Sequence, residues 1–335
     1  MKAEAHGSAC EPSYTLKRPR HAMDAPELTM VSMFYPLGFP AQMRTNSAAV
    51  LSMFERAWGV FERRFETEPV SVDVHVVESD SEECPPQPGW SLMPPLYVST
   101  ANASNYSVAD LERNRTQMTI SRAAERHPLY LRYFLLDAAP LVHIAFRYGT
   151  PIHAACVSLD GHGVLLCGES GAGKSTLSYA CARSGWTFTS DDSGYLVHGR
   201  DSRLLTGNCY QVRFRPAAQY FFPEINGREV TPRAGGKPSI EALTATLPGI
   251  ACSPDAEIGS IVFLNRRSDS RPRLATYSKE LARQYLRQSL FGWGDYLDLQ
   301  HEAIERLLQL EVLELRYSQL DWAVERLAML AQAGR

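Results

Sequence analysis

The sequence predicts an α/β protein in which a phosphate-loop (P-loop) domain follows a smaller α+β domain, and three observations carry that expectation. Residues 168–175 read Gly-Glu-Ser-Gly-Ala-Gly-Lys-Ser, a complete GxxxxGKS pattern whose glycines let successive backbone N–H groups converge on phosphate oxygens. The apolar run Gly163–Cys167 before it has the make-up of a buried strand, and Thr176–Arg183 after it, free of Pro and Gly, that of a helix with Gly185 at its C-cap. Trp186–Ser190 then alternates bulky and small polar residues like a strand and runs into Asp191-Asp192, closing a compact βαβ unit.

In chain order, residues 1–28 are polar, Pro-containing and mixed in charge, without the apolar stretch of a signal peptide, and are expected to form a flexible arm. Residues 29–125 read as the α+β domain. Ser47 can cap a helix whose Val50, Phe54, Trp58, Phe61 and Phe65 recur at helical spacing as a core-facing stripe. Val72, Val74 and Val76 alternate with Ser71, Asp73 and His75 as a half-buried strand. Residues 82–89, with Pro85, Pro86 and Pro88, form a loop, and hairpin-like pieces follow around Leu96–Thr100 and Gln117–Ile120.

The P-loop domain is expected over residues 126–335. Its first segment, Leu129–Phe146, is apolar but carries Arg132, Asp137, Pro140 and His143, which would be costly in lipid. It reads as a helix presenting Leu131, Leu135, Leu136, Leu141 and Ile144 to the nucleotide domain, with His143 a structural histidine because no partner stands at metal-ligand spacing. Beyond the acid pair, Ile258–Leu264 is a strongly apolar strand ending in Asn265-Arg266-Arg267, and Ser278 opens a helix through Leu290. Glu311–Tyr317 alternates as a strand, and Ser318–Asp321 has the pattern of a capping box for the last helix.

Each residue of the loop has a chemical reason. Lys174 supplies a mobile cation for the β- and γ-phosphates, Ser175 a hydroxyl for Mg²⁺, and the helix behind them a partial positive charge. Gly168, Glu169, Ser170, Gly171, Ala172, Gly173 and Thr176 complete the expected nucleotide contacts. If the strands flanking the helix are close neighbours, Asp191 and Asp192 stand beside the phosphates, where one carboxylate holds the metal and the other takes a proton from an attacking hydroxyl. Asp-Asp before Ser193-Gly194 is also an ordinary turn, and the loop upstream is what favours chemistry. Arg266 and Arg267 read either as a phosphoryl clamp or as solvated loop charges, and Lys237, after Gly235-Gly236, as a lid cation or a turn lysine.

His153, the loop region 163–175 and the stretch 185–192 together resemble the catalytic domain of the HPr kinase/phosphorylase family and its HPr-kinase-like relatives. The resemblance implies a phosphoenolpyruvate-carboxykinase-like kinase domain using ATP and Mg²⁺, with Asp191 as base toward a serine hydroxyl, Asp192 supporting Mg²⁺ or its waters, and His153 near the phosphates. The family's Glu-x-Arg-Gly signature is not matched: the nearest segment, Tyr210-Gln211-Val212-Arg213-Phe214, has Gln for Glu and Phe for Gly, and a neutral Gln cannot supply metal-directed charge. That departure argues against phosphorylase chemistry and against HPr as substrate, and points to divergent relatives, some of which resemble kinases acting on serine in ribosomal peptide precursors. The expected activity is ATP-dependent transfer to a hydroxyl of a peptide, protein or small metabolite. An ATP-gated binding module without efficient transfer is the alternative, and ATP hydrolysis driving motion a third reading.

At 335 residues and 44% hydrophobic, the chain is long enough for two cored domains. A net charge of −3 argues against nucleic acid or a membrane as electrostatic partner. Seven cysteines without a CxxC pair read as reduced thiols, which agrees with a cytoplasmic enzyme and suggests no zinc site. The resemblance allows a homo-oligomer, with nothing in the sequence marking an interface.

Overall fold

A computed structural model describes residues 27–199, 203–232, 237–267 and 271–334. Nearly all of the arm expected at residues 1–28, and the pair Gly235-Gly236, lie outside the described residues. Within them the chain is a mixed α/β protein built on two large sheets and a small one.

The first sheet runs Met30–Phe34, Ala41–Thr45, Val70–Val77, Arg115–Ser121, Asn105–Asp110, Leu96–Asn102, Gly89–Met93. Ser47 Oγ accepts the Val50 N–H at 3.3 Å and starts the helix Ala48–Trp58. The helix stops short of the expected stripe, yet Phe61 and Phe65 are buried from the coil that follows, Phe65 stacking on Phe39 at 4.4 Å between ring centroids. Val70, Val72, Val74 and Val76 join the same core as Val50 and Phe54.

Between those valines, Asp73 is buried and lies 2.6 Å from the guanidinium groups of both Arg44 and Arg115. Burial alone would raise the Asp73 carboxyl, but the two guanidinium hydrogen bonds overturn that and hold its pKa below the ordinary value. A depressed acid stabilises the fold above its unfolded pKa of about 3.9 and loses that contribution as pH falls through the folded value. Asp73→Asn is therefore expected to lower stability at pH 7 by about 2–4 kcal/mol, since it strands two half-exposed cations, and by less at acid pH. Urea melts at both pH values check this.

Residues Pro128–Tyr148 form one 21-residue helical rod, long and apolar enough to cross a membrane, with 56% of its most apolar window buried inside the protein. Five-residue π turns at Arg132–Leu136 and Ile144–Tyr148 interrupt it. Leu131, Leu135, Leu136 and Ile144 pack with the valines of the first sheet, so the rod joins that core and not, as expected, the nucleotide layer. The apolar stripe faces the first sheet, while Arg132 ion-pairs with Glu241 and hydrogen-bonds Gln211 on the small sheet. His143 is the expected structural residue: it is buried 2.8 Å from Thr116 Oγ1, and burial lowers its pKa to about 3.

The second sheet runs Ala251–Cys252, Thr187–Ser190, Ala155–Leu159, His162–Cys167, Asp255–Arg266, Leu204–Gly207, Gly194–Val197, Gly149–Ile152, and Val312–Tyr317 also pairs with Asp255–Arg266. The two strands of the expected βαβ unit are not adjacent. Ala155–Leu159 runs antiparallel between them, so they are parallel one strand apart and still end on the same edge. Helices Lys174–Arg183 and Leu320–Ala333 cover one face, against Val157, Val164 and Leu166. Lys279–Arg287 and Gly294–Leu307 cover the other, against Leu165 and Ile258, which explains the unbroken apolar run before the loop. Ser278 caps its helix at 3.3 Å, though the helix ends at Arg287. The capping box expected at Ser318–Asp321 does not form: Gln319 is the N-cap and no side chain caps it. The described cysteines are all free thiols.

Candidate functional site

The strands His162–Cys167, Thr187–Ser190, Asp255–Arg266 and Val312–Tyr317 run parallel and end on one edge of the second sheet, the edge where α/β sheets form ligand clefts. The loop 168–173 leaves the first of them. Gly168 and Gly173 have φ of +149° and +100°, and a Cβ at either would fall 2.9 Å from a neighbour, the Ala172 Cβ and the Tyr317 hydroxyl respectively. Both positions are thus closed to other residues by conformation and by space. Gly173 is the N-cap of Lys174–Arg183 and no side chain caps it, so the N–H groups of the first turn remain open to an anion.

Lys174 is buried, with its ammonium donating to Gly168 O at 2.7 Å and lying 3.1 Å from His153 Nε2. Burial lowers its pKa and Asp192 works against that shift. The His153 pKa is lowered by burial and then by Lys174, so the ring is neutral at pH 7 and Nε2 can accept from the ammonium. Its Nδ1 faces Asp192 Oδ1 at 3.8 Å. Ser175 Oγ donates to the backbone O of Asp191 at 3.4 Å, which ties the first helical turn to the acid pair.

Only one of the two acids borders the loop cleft. Asp192 lines a cleft of about 440 Å³ with Lys174, Ser175 and Thr176. Asp191 is buried, its Oδ2 accepting the Arg213 N–H at 2.6 Å, and it lines a second cavity of about 330 Å³ that the loop does not reach. Asp192 and Arg213 border both. Two outlying cations also reach the loop cleft: Lys237 Nζ donates to Ser170 Oγ at 3.4 Å, and Arg266 lies 4.8 Å over the Phe221 ring at the cleft wall. Arg267 is not brought in; its Nε donates to Asn265 Oδ1 at 3.0 Å on the exterior.

Sequence reasoning misses two residues here. The Tyr285 hydroxyl accepts the Gly168 N–H at 3.2 Å and lies 2.8 Å from the carbonyl oxygens of both Gly168 and His153, pinning the start of the loop to the histidine segment. Glu241 lies on the strand beside Gln211–Phe214, outside the lining of the loop cleft. It accepts from Gln211 Nε2 at 2.5 Å and pairs with Arg213 at 3.1 Å. Neither is signalled locally, because each lies far from the loop in sequence.

Among the described residues no three His, Cys, Asp or Glu side chains cluster as a metal centre. The Ser175 hydroxyl and the Asp192 carboxylate are hard oxygen donors beside the loop, a sparse protein contribution of the kind that suits Mg²⁺, which keeps water and phosphate in its shell.

A family model described as the SynChlorMet cassette protein ScmC matches residues 135–227, well under half of the chain. No curated protein matches. Among solved structures, the HPr(Ser) kinase/phosphatase from Coxiella burnetii is similar over 55% of this chain and 99% of that one, at 16% identity and a TM-score of 0.31. At those values activity must be argued from the residues themselves, and the chain stands as a mixed α/β protein carrying a GxxxxGKS loop at a sheet edge.

Proposed function

We propose that the protein is an ATP- and Mg²⁺-dependent phosphotransferase that moves the γ-phosphoryl group onto a hydroxyl. The observation that carries this reading is the placing of the acid pair: Asp192 borders both the loop cleft and the second cavity, Asp191 borders the second cavity alone, and Arg213 also borders both spaces. Loop amides and Lys174 hold the β- and γ-phosphates, and Lys174 exchanges Gly168 O for phosphate oxygen. Ser175 and Asp192 would hold Mg²⁺, which would supply charge neutralisation there. His153 orients Lys174 through Nε2. Asp191 takes the proton that the acceptor hydroxyl loses as its oxygen bonds to phosphorus, and ADP leaves with the bridging oxygen. On this reading the chain from Gly149 onward carries the nucleotide chemistry, and the first sheet with its helical rod shapes the acceptor side.

An ATP-gated binding module has one observation in its favour: Gln211 and Glu241 are engaged with Arg132 and Arg213 and do not line the loop cleft. Incubating the protein with labelled ATP, Mg²⁺ and cell-extract fractions, followed by mass spectrometry, separates the readings. Transfer predicts a phosphorylated product. ATP binding that alters only partner affinity would contradict it.

A further inference from the structure

The small sheet is an excursion from the second. The chain leaves the second sheet after Leu204–Gly207, builds the strands Gln211–Phe214, Val230–Thr231 and Ser239–Leu243, and returns through Ala251–Cys252 to Asp255–Arg266. Phe214, Phe221, Lys237 and Ser239 of this excursion line the loop cleft, so its two stems carry one wall of that cleft.

The stems are paired. Leu204, Leu205 and Thr206 lie opposite Glu257, Ala256 and Asp255 in an antiparallel ladder, and the Gly207 N–H continues it to Pro254 O at 2.9 Å. The same register carried two residues further sets Cys209 opposite Cys252. Residues opposed in an antiparallel pair have Cα atoms about 4.5–5.5 Å apart, within the span of a disulfide. The two side chains do meet: the Cys209 thiol donates to the Cys252 sulfur. Backbone contacts fix both stems, with Thr244 Oγ1 donating to Cys209 O and the Ser253 N–H to Phe188 O, each at 3.0 Å.

The pair is unsymmetrical. Cys209 is buried and Cys252 exposed. The hydrogen bond from Cys209 favours the Cys252 thiolate and lowers its pKa, whereas burial raises that of Cys84, the other exposed cysteine among the described residues. An outer thiolate touching an inner thiol is the arrangement of a reactive cysteine with its resolving partner.

We propose that Cys252 is a peroxide-reactive thiol and Cys209 its resolving partner, so that oxidation closes a disulfide across the neck of the small-sheet excursion. The Cys252 thiolate attacks one oxygen of hydrogen peroxide and breaks the O–O bond; Cys252 becomes a sulfenic acid, and the departing hydroxide takes up the proton Cys252 had released. That step removes the charge to which Cys209 was donating. The Cys209 sulfur then bonds to the Cys252 sulfur as the S–O bond breaks, and the oxygen leaves as water with the Cys209 proton. Two thiols lose two electrons and one peroxide becomes two waters. The site stands independently of the transfer reading.

The test treats the full chain with hydrogen peroxide at neutral pH, blocks remaining thiols with iodoacetamide and digests without reduction. Mass spectra are expected to show a peptide linking Cys209 to Cys252, lost on dithiothreitol treatment and absent from Cys252→Ser, an exposed position where the fold should hold. Cys209→Ala should stop at the Cys252 sulfenic acid, trapped by dimedone. Before oxidation, iodoacetamide should label Cys252 at least about fivefold faster than Cys84. Amide hydrogen exchange over residues 211–225 should slow roughly tenfold in the oxidised wild type and not in peroxide-treated Cys252→Ser, since the crosslink restrains local opening of the excursion. The proposal is overturned if peroxide leaves both thiols open to alkylation, if the link forms only in urea or joins either residue to another cysteine instead, if Cys84 reacts as fast as Cys252, or if exchange is unchanged in the linked protein.

Discussion

Lys174→Ala is expected to lower phosphoryl transfer by about 10²–10³-fold, the range seen when a preorganised charge at a transferring group is removed. The side chain is held ready. Its ammonium is buried against Gly168 O and His153 Nε2, so it is already partly desolvated and needs little rearrangement to meet a phosphate oxygen. Burial depresses its pKa while Asp192 supports the charged form, which marks a cation held at some cost until an anion arrives. Thermal stability should therefore hold or rise in Lys174→Met, which keeps the aliphatic stem and removes the desolvated charge. Steady-state kinetics with parallel melting curves check both halves. A variant that loses stability along with turnover would mean that Lys174 is structural.

The acid pair should divide by kinetic parameter. Asp191→Asn is expected to lower kcat by about 10²–10⁴-fold, the usual worth of a general base, with little effect on KM for ATP. The amide oxygen of Asn can still accept the Arg213 N–H, so the backbone need not move. Asp192→Asn should instead raise the Mg²⁺ concentration needed for half-maximal rate, because Asp192 borders the loop cleft beside Ser175. Rates measured over a Mg²⁺ series for both variants give the answer. The reverse pattern would exchange the two roles, and wild-type behaviour from both would remove the pair from the chemistry.

What the sequence shows of this molecule is what neighbouring residues decide. The strand, loop, helix and acid pair of residues 162–192 lie in one continuous stretch, and the Ser47 cap, the valine alternation and the buried strand Asp255–Arg266 are likewise set by local spacing. Pairing between distant segments is not. Nothing in Ala155–Leu159 announces that it inserts between the two strands of the nucleotide unit, since its burial on both faces depends on helices supplied later in the chain. The rod at residues 128–148 shows an apolar stripe, but two sheets compete for it, and the preference for the first depends on tertiary packing. Tyr285 and Glu241 reach the site from 117 and 30 residues away from their partners Gly168 and Gln211, and the second cavity exists only where the helix, rod and sheet meet.

A crystal structure of the protein with Mg²⁺ and a nonhydrolysable ATP analogue tests the central claim most directly. The phosphates should rest on the amides of residues 169–175 with Lys174 drawn from Gly168 O onto the γ-phosphate, the metal between Ser175 and Asp192, and the Asp191 carboxylate open toward the cavity beyond. A nucleotide bound elsewhere, or phosphates in the loop with both carboxylates turned away from the terminal group, would contradict it.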